Sequence, residues 1–507
     1  MKKKFYNLKK LKKIIDFERQ KGKKIVHCHG VFDLLHIGHI KHFKEAKKYG
    51  DLLVVTITPD KHVDKGQGRP AFKERTRIEA LEALEDIDYL SINIEKSAIS
   101  AIRKIRPNYY CKGPDYRNFS HDLSGKISKE VEEVKKYNGK VVFTKSETFS
   151  STRLINENSG ILSTEQKHFL KKIKKKNNFI GTKEKIEDFK KLKVLLIGEI
   201  IIDQYVFCEA LGKSGKEPVL ALRDINSEEY IGGAGAISNH LSTFCKNIKL
   251  LSMLGEKEEY AKVIKSSIQN NVKLEYIKKK NSPTIIKKRF LDHVSHSKVL
   301  GVYQINDELL TKENEINFNK MLMRNIKKFD LVIVSDYGHG LISKKSAEII
   351  TKHSKFIALN AQVNAANIGY HTMRNYKNLD CVIINEKEIR HESRDKNTNI
   401  EKLMINLSNQ HKIKNLIVTR GSSGSTIFNS RSKKFNYCPA FAKTTIDKIG
   451  AGDAMLSMAS LCLKMNFKPD ITLFISSLAA AFSVESIGNK NKISKVEILK
   501  NLEILFK

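Results

Sequence analysis

The stretch Gly30-Val31-Phe32-Asp33-Leu34-Leu35-His36-Ile37-Gly38-His39 follows a β-rich run, Lys24 to Cys28, and opens a helical pattern. In open α/β sheets, ligands gather where a strand ends and a helix begins, and anions settle at the helix N-terminus. His36 and His39 are three apart, so on a helical turn they face the same way. Two imidazoles placed there can donate hydrogen bonds to an α-phosphate as charge builds up in a transition state. Gly38 between them leaves room for close approach of a nucleotide. Near the other end, Asp447-Lys448-Ile449-Gly450-Ala451-Gly452-Asp453 follows a related logic. Its small residues let backbone N–H groups converge on an anion at a helix start. An aspartate there can take the proton from an attacking hydroxyl.

Strand-like and helix-like segments alternate outward from each stretch. Between 24 and 155 the strand-like runs include Leu52 to Thr58 and Val141 to Thr144, with helical spacing over Glu74 to Leu84. Such alternation predicts a parallel sheet covered by helices. Residues 1–23 read as a basic N-terminal helix and 156–190 as a lysine-rich linker that begins its helical pattern at Ser163-Thr164-Glu165-Gln166. From 191 to 507 the alternation resumes through Lys193 to Asp203, Leu331 to Ser335, Phe356 to Leu359, Cys381 to Ile384 and Leu416 to Thr419. The fold class expected is α/β in two domains, the first a Rossmann-like parallel sheet.

A chain of 507 residues, 40% hydrophobic, has room for two to four domains. It lacks any apolar run near the roughly 18 residues of a membrane span, and its basic start lacks an apolar leader core. The expectation is a cytoplasmic protein with no membrane partner. The net charge of +36 comes mostly from lysines spread along the chain. With no nucleic-acid motif, nucleic acid is not an expected partner; the positive field suits polyanionic small molecules. The seven cysteines are scattered without a C-x-x-C pair, which argues against a disulfide framework and a zinc site. Each is expected to be a small buried hydrophobe.

The complete first stretch resembles the G-x-F-D-x-x-H-x-G-H signature of the cytidylyltransferase-like nucleotidyltransferases. Three further segments agree in order: Arg77 within ERTRIEALEALEDIDYL, Lys112-Gly113-Pro114-Asp115-Tyr116, and Ser150-Ser151-Thr152. The resemblance implies His36 and His39 as catalytic residues. It implies nucleotide contacts from Gly30, Phe32, Asp33, Gly38, Arg77, Lys112, Gly113, Asp115, Ser151 and Thr152. Lys65, in the DKGQGRP loop, is an additional phosphate candidate.

The second stretch, with AMLSMASLCL after it, resembles the signature of the ribokinase-like carbohydrate kinases. That implies a ribokinase-like α/β sandwich over 191–507 with Asp453 as catalytic base. By the same resemblance Asp203, Gly232 and Gly233 join Asp453 at the sugar. Asn385, Glu388, Thr419, Gly421, Gly450, Ala451 and Gly452 fall to nucleotide and phosphate. No protein motif binds a metal directly; Mg2+ would sit on the phosphates near Glu388.

Together the two signatures resemble the bifunctional heptose-phosphate kinase/nucleotidyltransferases, with the domain order reversed. The resemblance implies ATP-dependent phosphorylation of a sugar or sugar phosphate, then nucleotidyl transfer from ATP or CTP to a sugar 1-phosphate with release of pyrophosphate. It also suggests a homodimer. Four positions depart from the kinase pattern: Ala236, His339, Asn360 and Gln362. They leave open an unrelated acceptor, or a kinase-like module that senses a metabolite beside a polyol- or sugar-phosphate cytidylyltransferase.

Overall fold

Leu52–Ile57 is buried at all six positions, as a strand covered on both faces must be. In the computed structural model, which describes residues 3–63, 70–95, 97–114, 126–145, 162–363, 367–442 and 444–506, it lies inside a five-stranded sheet. The strands are β1 (Ile25–Gly30), β2 (Leu52–Ile57), β3 (Tyr89–Ile92), β4 (Tyr109–Lys112) and β5 (Lys140–Phe143). All pair in parallel in the order β3-β2-β1-β4-β5. The order reverses between β1 and β4, and a crevice at such a switch point is where this architecture takes ligands. The first sequence stretch begins at the end of β1.

The chain divides into two units, Met1–Thr164 with Leu499–Lys507, and Glu165–Ile498. In the first, the expected basic helix forms over Leu8–Gln20 and buries Leu8, Leu11 and Ile15, so it is part of the core rather than a free arm.

The second unit holds two sheets. The larger runs β10-β9-β6-β13-β14-β15-β16-β17-β18. Its strands are β6 (Lys193–Gly198), β9 (Asn247–Gly255), β10 (Val272–Lys279), β13 (Leu331–Asp336), β14 (Ile357–Ala361), β15 (Cys381–Asn385), β16 (Asn415–Thr419), β17 (Ser425–Asn429) and β18 (Lys434–Cys438). Pairing is parallel from β10 to β16 and antiparallel for the last two strands. The smaller sheet, β12-β11-β7-β8, is built from β7 (Ile200–Lys213), β8 (Leu220–Gly233), β11 (Ile286–Asp292) and β12 (Lys298–Gln304). Glu199 alone separates β6 from β7, so the chain crosses from one sheet to the other within one residue.

The expected linker divides as well. Its part from 165 onward belongs to the second unit, because Phe169 packs on Phe441 and Phe474, and Phe189 on Phe244 and Phe467. Lysines spaced among these few apolar anchors hide a buried face. Among the described residues no helix is long and apolar enough to cross a membrane.

The crossing from β6 needs a residue without a side chain. A Cβ at Gly198 would stand 2.3 Å from the Ser335 carbonyl oxygen of neighbouring β13. Backbone in a central strand cannot retreat cheaply, so Gly198→Ala should destabilise the second unit by about 1–3 kcal/mol. A lower urea midpoint is the expected result.

Candidate active sites

In the first unit the chain leaves β1 through Gly30 and turns back at Phe32, which holds a φ of 49°. This left-handed conformation is costly for a bulky residue and marks a turn held by its surroundings. Gly30 makes room for it: a Cβ there would meet the Phe32 ring at 2.8 Å. The ring packs on His39 and Phe43, with centroids 5.4 and 5.0 Å away. His36 then caps the helix Ile37–Lys47, its Nδ1 accepting the Gly38 N–H at 3.1 Å. That bond places the proton of a neutral His36 ring on Nε2. The His36 and His39 rings stack at 3.9 Å between centroids, so the pair faces one way as the spacing predicted.

The other residues expected here take varied places. Asp33 accepts the Ala71 and Phe72 N–H groups at 2.8 and 2.9 Å, which clamps the segment leading into the helix Glu74–Glu82. Arg77 is buried. Its guanidinium donates to the carbonyls of Phe72, Val31 and Thr58 and pairs with Asp60 at 2.6 Å. In this arrangement it ties the turn after β1 to the end of β2. Lys112, at the end of β4, pairs with Glu130 at 3.0 Å, both buried. Glu130 also accepts from the Ala98 amide and the Tyr110 hydroxyl. Gly113 follows directly and has open space around its Cα. Lys65, Asp115, Ser151 and Thr152 lie outside the described residues.

In the second unit the helix Ala451–Lys464 begins at Gly450, whose φ is 86°. A Cβ there would strike Asn489 Oδ1 at 2.3 Å. Ala451, Gly452 and Asp453 form the first turn, where amides have no intrahelical acceptor, and Gly452 faces open space. Half-buried Asp453 accepts from the Tyr337 hydroxyl at 2.8 Å. Burial pushes its carboxyl up to about 7 against the pull of Tyr337, and the charge of Asp203 adds to the rise while Lys287 opposes it. A carboxyl balanced near neutral pH suits a general base.

Asp203, on β7, pairs with Arg289 of β11 at 2.6 Å and receives a longer bond from Asn489 at 3.4 Å. Gly232 makes this possible, because a Cβ there would stand 2.1 Å from Asp203 Oδ2. Gly233, with φ 57°, ends β8 and caps the next helix. Lys287 stands opposite Asp203 in the β7–β11 register. Its Nζ lies 5.7 Å from the Tyr337 ring centre, and burial lowers its pKa. Asp203, Lys287, Arg289, Tyr337 and Asp453 thus form one electrostatically linked cluster. Sequence reading missed Lys287 and Arg289. Their i, i+2 spacing in IIKKRFL puts both on one strand face, but it is hard to see against so many lysines.

Asp447, in the same signature, accepts the Tyr205 hydroxyl at 2.8 Å and pairs with Lys298 at 2.7 Å. Asn385 and Glu388 form a reciprocal capping box at the helix Glu386–Ser393, with bonds of 2.9 and 2.8 Å. Burial pushes Glu388 up to about 7. Thr419 ends β16, and Gly421, at φ 57°, starts the short turn to β17. Of the departures, Ala236 is buried in the helix Ala234–Ser242. His339 is buried with Nδ1 2.6 Å from Asp307. Asn360 donates to the Ile383 carbonyl, and the Gln362 amide to that of Asp336.

Comparison with known proteins finds two family matches that overlap over residues 191–203. The pfkB family carbohydrate kinase model matches residues 191–495, and the cytidylyltransferase-like model matches 27–203. The bifunctional protein HldE of Campylobacter jejuni (strain RM1221) is 25% identical over 302 residues, 59% of this chain and 62% of that protein. That of Geobacter metallireducens is 39% identical over 157 residues, 30% of this chain and 31% of its own length. The chain therefore spans 62% or less of these relatives in each match. A crystal structure of phosphofructokinase-2 from Escherichia coli, in complex with substrates and products, covers 62% of this chain and 100% of its own. At 15% identity and a TM-score of 0.51, this is a likeness of fold.

The raised carboxyl at Asp453 carries a stability cost with a definite sign. Its folded value of about 7 exceeds the 3.8 of an ordinary aspartate, so the folded state loses stability as pH rises between these values. Asp453→Asn keeps an acceptor for Tyr337 and removes the charge. It should match the parent near pH 4 and exceed it by about 1–2 kcal/mol at pH 8, read from urea midpoints at both pH values.

Proposed function

The chain belongs to the pfkB family of carbohydrate kinases, and we propose that it is a bifunctional enzyme making a nucleotide-activated sugar. The observation that carries the kinase half is the single cluster of Asp453, Asp203, Lys287 and Arg289 beside the open helix start at Gly450. The acceptor hydroxyl would give its proton to Asp453 while its oxygen attacks the γ-phosphorus of ATP, and ADP would leave. The amides of residues 451–453 would receive the charge building on the transferred group. Lys287 and Arg289 favour an acceptor that itself carries a phosphate, in keeping with the resemblance to heptose-phosphate enzymes. Magnesium, when bound, neutralises phosphate charge. The Glu388 carboxylate is engaged in its cap, so this ion would be held through the phosphates.

In the first unit a sugar 1-phosphate oxygen would attack the α-phosphorus of a nucleoside triphosphate and release pyrophosphate. His36 supports this reading, since its Nδ1 accepts the Gly38 N–H and so leaves the proton of the neutral ring on Nε2, where it can donate to a phosphate oxygen. Arg77 and Asp33 would act by holding the turn in place. Lys112 and Gly113 would border the nucleotide with Gly30, Phe32 and Gly38.

A screen of phosphorylated and unmodified sugars with ATP and magnesium should yield a phosphorylated product by mass spectrometry. Asp453→Asn should reduce the rate at least 100-fold, on the scale of a lost general base. No product from any sugar would favour a metabolite-sensing module instead. His39→Ala should abolish nucleotidyl transfer and leave phosphorylation within about twofold, because the substitution lies in the other unit. Loss of both activities would show that the two sites do not operate independently.

A further inference from the structure

Cys28 of β1 and Cys111 of β4 are direct partners in the parallel register, so their side chains leave the sheet on the same face. His42 reaches them from the helix Ile37–Lys47. One imidazole nitrogen and the two sulfur atoms all lie within 4.8 Å of one another. The Thr144 hydroxyl, 3.1 Å from His42 Nδ1, orients the ring. Among the described residues this is the one group of three metal-ligating side chains brought together so closely.

We propose that Cys28, Cys111 and His42 bind a thiophilic cation, Zn2+ in the first instance. Two sulfurs and an imidazole are a soft to borderline set that suits zinc and repels magnesium or calcium. Ligand atoms of a tetrahedral zinc stand about 3.6–3.8 Å apart, so closure needs about 1 Å of side-chain movement at most. Packing alone does not explain the trio. Cys28 and Cys111 belong to an apolar cluster with Val26, Phe43 and Val55, where small hydrophobes need no imidazole beside them. His42 is half-buried and gives the ion a way in from solvent. Both thiols lose their protons to solvent as two Zn–S bonds form, and nothing is oxidised or reduced.

The ion would join β1, β4 and the helix that carries His39. Cys111 directly precedes Lys112, and Cys28 is two residues before Gly30. Bound zinc would therefore hold the transferase turn, a role that rests on the function proposed above. The binding itself does not.

Co2+ titrated into the reduced full-length protein tests the site without reference to activity. About one equivalent should bind with a thiolate-to-cobalt charge-transfer band, and Zn2+ should displace it. Cys28→Ser and Cys111→Ser should each lose the band, and Cys245→Ser, in the second unit, should keep it. Zinc should raise the thermal midpoint of the parent and not of the two serine variants. Absence of the band in the unaltered protein would overturn the proposal whatever the variants do. So would a band that survives both Cys28→Ser and Cys111→Ser. A cobalt band alongside inactive transferase would leave the site standing and refute the function instead.

Discussion

The buried Asp203–Arg289 ion pair governs the second unit's site. Asp203 is 4% exposed and stands 2.6 Å from its partner. Removing either member would leave a charge in the interior, at a cost of about 3–5 kcal/mol. The pair also joins β7 to β11 through side chains as well as backbone. Gly232 must remain without a Cβ to admit it, and Asn489 reaches both Asp203 and the space beneath Gly450. The small sheet and the helix start are thereby set relative to each other by one carboxylate. Burial is the main cause of the shifts at Lys287 and Asp453, and the charge of Asp203 acts on both.

Burial, with the Asp203 charge adding to it, holds the Asp453 carboxyl near neutrality. A lone aspartate pushed towards neutrality costs stability at physiological pH. Asp447 shows the contrast within one motif. Burial works against its charge as well, but Lys298 and Tyr205 hold it below the usual range. Six residues on, Asp453 has a tyrosine hydroxyl and, among the described residues, no cation paired with it. One aspartate is locked as an ion and the other is left near the point of proton exchange. Such divergence between neighbouring acids separates structural from catalytic roles.

Much of this was legible in the sequence because it depends on local spacing. The H-x-x-H turn, the G-A-G-D helix start and the strand–helix alternation each need only a few consecutive residues. What was hidden depends on register. Lys287 meets Asp203 only because β11 pairs with β7, and Cys28 meets Cys111 only because β4 lies beside β1. Neither pairing leaves a mark in composition, and lysine abundance masks the first. The N-x-x-E segment shows the opposite effect. Its spacing was visible, but the same spacing is a capping box, and in the structure it serves as one. Arg77 likewise was conspicuous, yet its guanidinium is engaged with backbone carbonyls and Asp60.

The departures from the kinase pattern fit together physically. Where the pattern has a lysine, His339 lies buried, its Nδ1 on Asp307 and its amide on Glu199. The Lys279 ammonium, from β10, bonds the His339 carbonyl at 3.0 Å and that of Asn306 at 2.6 Å. A cation is still present in this region, but it anchors backbone. Glu199, pushed up to about 7 by burial and then by Asp336, sits beneath the same turn. The positive charge of the Asp453 cluster lies instead on β11, at Lys287 and at Arg289, the latter paired with Asp203. The charges of the cluster are thus carried by the small sheet, and their positions depend on the Asp203–Arg289 pair.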